Sequence, residues 1–203
     1  MKKIIQNILI LILAAFVVFL MFYNCTGTKT EEQPKAEAKD STSKINSVYA
    51  NDCRALYLDA CKNDSIILAA NEIDKKVANK AIKAFADFSF YCPTDTLAPI
   101  FLLKAGQIAQ SINNLPQAQL SFERVINDFP NFKNRGAAMF LLAQLYDEPS
   151  MLNDEEKARE LYGQIINTFP GTDWAKNADD ARSLLGKTDE QIIKEFEKKN
   201  KKK

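Results

Sequence analysis

The chain has 203 residues, 27 Lys or Arg against 26 Asp or Glu, a net charge of +1 and no histidine. That length, less a long apolar N-terminal run, leaves room for one domain, and the missing histidine removes the commonest general base and transition-metal ligand. Lys2, Lys3 and the five lysines between residues 198 and 203 hide a body that is acidic by six charges, which speaks against a nucleic-acid surface.

Residues 1–25 read as a signal or anchor segment. Lys2 and Lys3 precede an uninterrupted apolar run from Ile8 to Tyr23. Counted from Ile4, the run reaches the ~20 residues a spanning helix needs. The positive-inside rule puts the two lysines in the cytoplasm and the chain after residue 25 outside it. Cys25 closes the run where bacterial lipoproteins carry a lipidated cysteine. Tyr23 and Asn24 depart from the small residues that such a site favours, so a lipid anchor on Cys25 and an uncleaved signal anchor both stand. Residues 26–44 are polar, charged and poor in large apolar side chains, which predicts a disordered tether.

The helical part is expected over 45–203. Ile45 to Lys62 reads as a short helix with Asp52 as a candidate cap and Asn63-Asp64-Ser65 as its breaker. Ile66 to Tyr91 reads as a longer helical stretch interrupted near Asn71 and stopped by Cys92-Pro93. Cys53, Cys61 and Cys92 fall in the part expected outside the cytoplasm, where thiols tend to be oxidised. Cys53 and Cys61 lie ~12 Å apart along one helix and cannot bridge. Either can reach Cys92, so the expectation is one disulfide, Cys61–Cys92 or Cys53–Cys92, against three buried thiols. Neither a C-x-x-C pair nor a histidine supports zinc.

From Pro99 to Pro130 the pattern is two amphipathic helices joined by a tight turn. Leu102, Ala105, Gly106 and Ala109 give the first a face of small residues. Ala118, Phe122, Val125 and Ile126 give the second an apolar stripe that must find a partner. Asn114 is a candidate N-cap, Pro116 falls in the first turn, and Pro130 ends the helix. The second-helix pattern recurs as Ala81, Phe85, Phe88, Pro93 and as Ala158, Tyr162, Ile165, Pro170. The first-helix pattern recurs as Met139, Leu142, Ala143, Tyr146. The turn from Glu148 to Asn153 is long, and no first helix is evident before Ala81. Gly171-Thr172-Asp173 opens a terminal helix in which Trp174 covers the end of the last full unit and Gly186 takes the C′ position. Thr188 and Gln191 form a capping box for a last helix carrying Ile192, Ile193 and Phe196.

This arrangement resembles the tetratricopeptide repeat, a helix–turn–helix unit of ~34 residues that stacks into a solenoid. The resemblance implies an all-α fold, an alpha-alpha superhelix of about three such units, and the apolar run places an N-terminal membrane-anchor helix ahead of it. The resemblance also implies a groove lined by the first helices. Carried over position by position, that groove takes Leu103, Gln107 and Gln110 from one unit and Phe140, Gln144 and Asp147 from the next. The Phe-Pro endings and the anchor are similar to two bacterial envelope groups, the YbgF-type periplasmic repeat protein of the Tol–Pal system and the BamD-type outer-membrane assembly lipoprotein. That similarity implies a membrane-tethered scaffold facing the periplasm, with envelope proteins or peptide segments as partners and no cofactor. The six glycines form no phosphate-binding pattern, and acidic clusters such as Asp154-Glu155-Glu156 read as helix first turns, so no catalytic or metal site is expected. The rival reading is a protein that binds cell-wall polymers or regulates a cell-wall enzyme, which clustered aromatics would favour.

Overall fold

The structure is a computed structural model that describes residues 42–72 and 74–200. The segment 1–25, with Cys25, and the tether up to residue 41 lie outside the described residues. Among the described residues there are eight helices and no strand: α1 (Thr42–Ala69), α2 (Lys75–Tyr91), α3 (Ala98–Ser111), α4 (Leu115–Asp128), α5 (Arg135–Asp147), α6 (Glu155–Thr168), α7 (Asp173–Leu184) and α8 (Asp189–Asn200). None is long and apolar enough to cross a membrane. The chain divides into two units, Met1–Arg54 and Ala55–Lys203. The described part of the first is the N-terminal half of α1, which starts at Thr42, just inside the stretch read as tether. The rest of the fold belongs to the second.

From α2 to α7 each helix packs against its neighbours in sequence, and α5 also touches α7. This is how a stack of helix pairs buries its apolar faces, each unit leaning only on the next. The two kinds of helix differ as their sequences require. α3 and α5 are sandwiched and bury most of their length, from Phe101 to Gly106 and from Gly136 to Met139 for example. α4 and α6 bury one stripe each: Ala118, Ser121, Phe122, Val125 and Ile126 in the first, Ala158, Tyr162 and Ile165 in the second. Gly106 is small for a reason, since a Cβ there would place three carbons of the Phe122 ring within 3.0 Å. The first-helix face predicted from small residues is therefore the seat of the second helix.

The three proline stops are alike in geometry. Cys92, Phe129 and Phe169 cap α2, α4 and α6 with φ/ψ of −123/53, −125/62 and −125/53, each directly before its proline. Proline excludes the α region for the residue ahead of it, and the three units leave their second helices the same way. Two caps come from residues that the sequence did not single out as caps. Asp154 accepts from the Lys157 amide at 3.1 Å and Thr172 from the Ala175 amide at 3.3 Å. The box between Thr188 and Gln191 closes at 3.0 and 3.4 Å, and Gly186 takes φ +71 after α7. Asn114 occupies the N-cap position of α4 without a side-chain bond.

The N-terminal end corrects the sequence reading. Asn63-Asp64-Ser65 does not break α1, because Asn63 and Ser65 bond back into the helix and Asp64 finds its partner on α3. The Asn63 amide donates to Asp59 O at 2.8 Å and the Ser65 hydroxyl to Cys61 O at 2.9 Å. Asp64 is buried and pairs with Lys104 of α3, Nζ to Oδ2 2.7 Å. Asp52 lies inside α1 and caps nothing. The helix ends instead at Ala69, and Asp74 caps α2 through the amides of Lys76 and Val77. Ala60, Asp64 and Ile67 are buried on α1, and Tyr57 lies 6.2 Å from Phe88 and 6.4 Å from Phe101 between ring centroids. The C-terminal half of α1 thus lies beside α2 and α3 in the place where the sequence showed no first helix before Ala81.

Candidate functional site

On α3 and α5 the positions carried into the groove repeat at i, i+4 and i+7, which lines them along one face of each helix. The structure sorts them. Leu103 is 3% exposed and belongs to the core, a correction to its place on a partner surface, since α3 is covered over most of its circumference. Gln107 is half-buried. Gln110, also half-buried, directs its amide to Met151 Sδ at 3.8 Å.

The α5 positions form a connected group. Phe140 is half-buried, with its ring centroid 5.7 Å from Tyr162 of α6 and 6.0 Å from Trp174 of α7. Tyr162 is fully buried, and its hydroxyl donates to Asp147 Oδ2 at 3.2 Å. One phenol ring thereby joins Phe140 in the middle of α5 to Asp147 at its end. Gln144, half-buried, sits between them. Gly136 gives Trp174 its place, because a Cβ there would lie 3.0 Å from the indole ring.

Burial pushes the Asp147 carboxyl above the usual carboxylate range, and the charges of Glu148 and Glu155 push the same way against the bond from Tyr162. Burial, with Asp147 beside it, moves the Tyr162 hydroxyl well above the ordinary tyrosine value. Both shifts favour the protonated forms, and the phenol remains the donor of the pair. The cation on α3, Lys104, is 4% exposed and directs its charge to Asp64.

Sequence reasoning placed Phe140, Gln144 and Asp147 on one stripe but took Tyr162 as core and Trp174 as an end cover. The link from α6 and α7 to the α5 stripe needs the long turn from Glu148 to Asp154 to bring the Tyr162 hydroxyl under Asp147. Residue spacing alone carried no trace of it. Among the described residues no group of three or more His, Cys, Asp and Glu side chains could hold a metal ion. Cys53 and Cys92 are disulfide-bonded and Cys61, half-buried, keeps its thiol. Of the two pairings expected, Cys61–Cys92 is therefore excluded.

Residues 101–131 and 137–172 match the family model of the tetratricopeptide repeat. The matched spans are α3 with α4 and α5 with α6, the two units that carry the α3 and α5 stripes. No characterised protein matches the chain significantly in sequence.

Proposed function

We propose that the chain is a protein–protein interaction scaffold that holds a segment of its partner along the inner stripes of α3 and α5. The observation that carries this reading is the pair of tetratricopeptide matches over two stacked helix pairs. Repeats of this kind offer an extended surface rather than a reaction centre. The finer reading comes from the N-terminal sequence: the apolar run and Cys25 tether the repeats to a bacterial membrane, with the repeats facing the periplasm. The partner is then an envelope protein, as in Tol–Pal or outer-membrane assembly complexes.

The rival reading, binding of a cell-wall polymer, is favoured by one observation, the half-exposed pair Phe140 and Trp174, since aromatic faces stack on sugars. Site-specific photo-crosslinking in the native cell separates the two. A probe at Gln144 should give a discrete protein adduct that the same probe at Glu160, exposed on α6, does not. Adducts from both positions alike, or a smear of glycan at Gln144, would overturn the scaffold reading. Fractionating the cells with and without detergent tests the tether, and release of the chain by salt alone would exclude it.

A further inference from the structure

Resting on the groove reading, we propose that the segment bound along α5 is an extended peptide that pairs a large apolar side chain with a lysine or arginine three residues away. The stripe has two unlike ends. At one, Phe140 and Trp174 are half-exposed and held from behind by Tyr162 and Gly136. They form a fixed apolar shelf. At the other, the half-buried Asp147 carboxylate accepts from the Tyr162 hydroxyl, and among the described residues no lysine or arginine forms an ion pair with it. Glu148 adds negative charge beside it, while Glu155 is already paired with Arg159, so a cation brought by a partner would find the Asp147 carboxylate without an ion-pair partner. α3 offers nothing comparable to an acidic segment, because Lys104 is neutralised internally by Asp64.

The spacing sets the motif. Phe140 and Asp147 are seven residues apart on one helix, about 10 Å along its axis. An extended chain of the polyproline II kind rises ~3.1 Å per residue with three residues per turn. Its side chains at i and i+3 therefore point the same way about 9 Å apart, which matches the stripe. Gln144, between the two ends, presents an amide that can donate to and accept from the backbone of such a chain. The pairing of an aromatic seat with a carboxylate favours a cationic residue beside an apolar one over either alone.

The test selects peptides from a random dodecapeptide display library against the full chain in detergent. Affinity is then measured by the fluorescence of Trp174, the one tryptophan in the sequence. The selected peptides should share a large apolar residue and a Lys or Arg separated by two positions, and should shift Trp174 emission. They should weaken about tenfold with Asp147→Asn and lose binding with Phe140→Ala. Phe90→Ala, which changes an exposed ring on α2, should leave binding unaltered. Asp147→Asn keeps an acceptor for Tyr162, so its thermal midpoint shows that a loss is not unfolding. Peptides that shift Trp174 yet are acidic, or are indifferent to Asp147→Asn, would overturn the proposed chemistry while leaving the groove reading intact. Peptides that bind without moving Trp174 and are indifferent to Gln107→Ala and Gln144→Ala would overturn both. So would the absence of any selected peptide together with a Trp174 response to soluble cell-wall fragments.

Discussion

Gly106 of α3 and Phe122 of α4 are built for one another: the space a side chain would take at the glycine is filled by the buried aromatic ring. Gly106→Ala forces the ring aside and is expected to destabilise the fold by about 1–3 kcal/mol. Phe122→Ala leaves a cavity and should cost about 3–5 kcal/mol. The two substitutions together should fall short of their sum, since the alanine methyl enters space the ring has left. Denaturant titration of the three variants measures this coupling. Strict additivity would mean that the two residues do not share the space.

Asp64 and Lys104 sit 40 positions apart and are almost completely buried as a pair. Lys104→Met leaves a buried carboxylate without its cation and is expected to cost about 3–5 kcal/mol. Replacing both, Asp64→Leu with Lys104→Met, should recover most of that loss. Chemical unfolding of the single and double variants checks the order. A single variant as stable as the parent would show that the pair is open to water.

Asp147 makes stability depend on pH in a defined direction. Its folded-state proton affinity is raised by burial. Between the ordinary carboxylate range and that higher value the folded chain holds a proton that the unfolded chain has released. Stability from this group is therefore present at low pH and falls as pH rises through the window. Asp154 works in the opposite sense, its value lowered first by the bond from the Lys157 backbone, so the clean measurement is a difference. The parent minus Asp147→Asn thermal midpoint, tracked from about pH 3 to 7 across the carboxylate range, should decline with rising pH. A rising difference would mean that Asp147 is stabilised as a carboxylate.

The cysteines differ in state. Alkylation of denatured, unreduced protein followed by peptide mass analysis should label Cys61 and leave Cys53 and Cys92 unlabelled until a reductant is added. Label on Cys92 without reductant would contradict the bonded state.

The stack was legible in the sequence wherever a rule acts over a few residues. Apolar spacing on α4 and α6, prolines at 93, 130 and 170, Thr188 with Gln191, and Gly186 all report on their immediate neighbours, and each appears in the structure as read. What escaped was decided at a distance. Asn63-Asp64-Ser65 carries the composition of a helix breaker, and the Asp64 partner that keeps the helix whole lies on α3. Leu103 occupies a groove position by spacing but is closed over by neighbours that spacing does not describe. Tyr162 serves the core with its ring and the α5 stripe with its hydroxyl, and a one-letter pattern records only the first.

The core also thins along the chain. At the α1–α3 end, Phe85 and Phe88 both lie within 5.3 Å of Phe101 between ring centroids and a buried ion pair is added. α7 buries only Ala175 and Ala178 along its length. In a stack where each unit leans on the next, opening free energy follows local burial rather than one global value. The molecule is therefore expected to unzip from its C-terminal helices, with the slowest amide exchange around Phe101. Because α7 also carries Trp174, a segment seated against that indole would hold shut the end that opens first, and occupancy of the groove would be felt as lengthened lifetime of the whole stack.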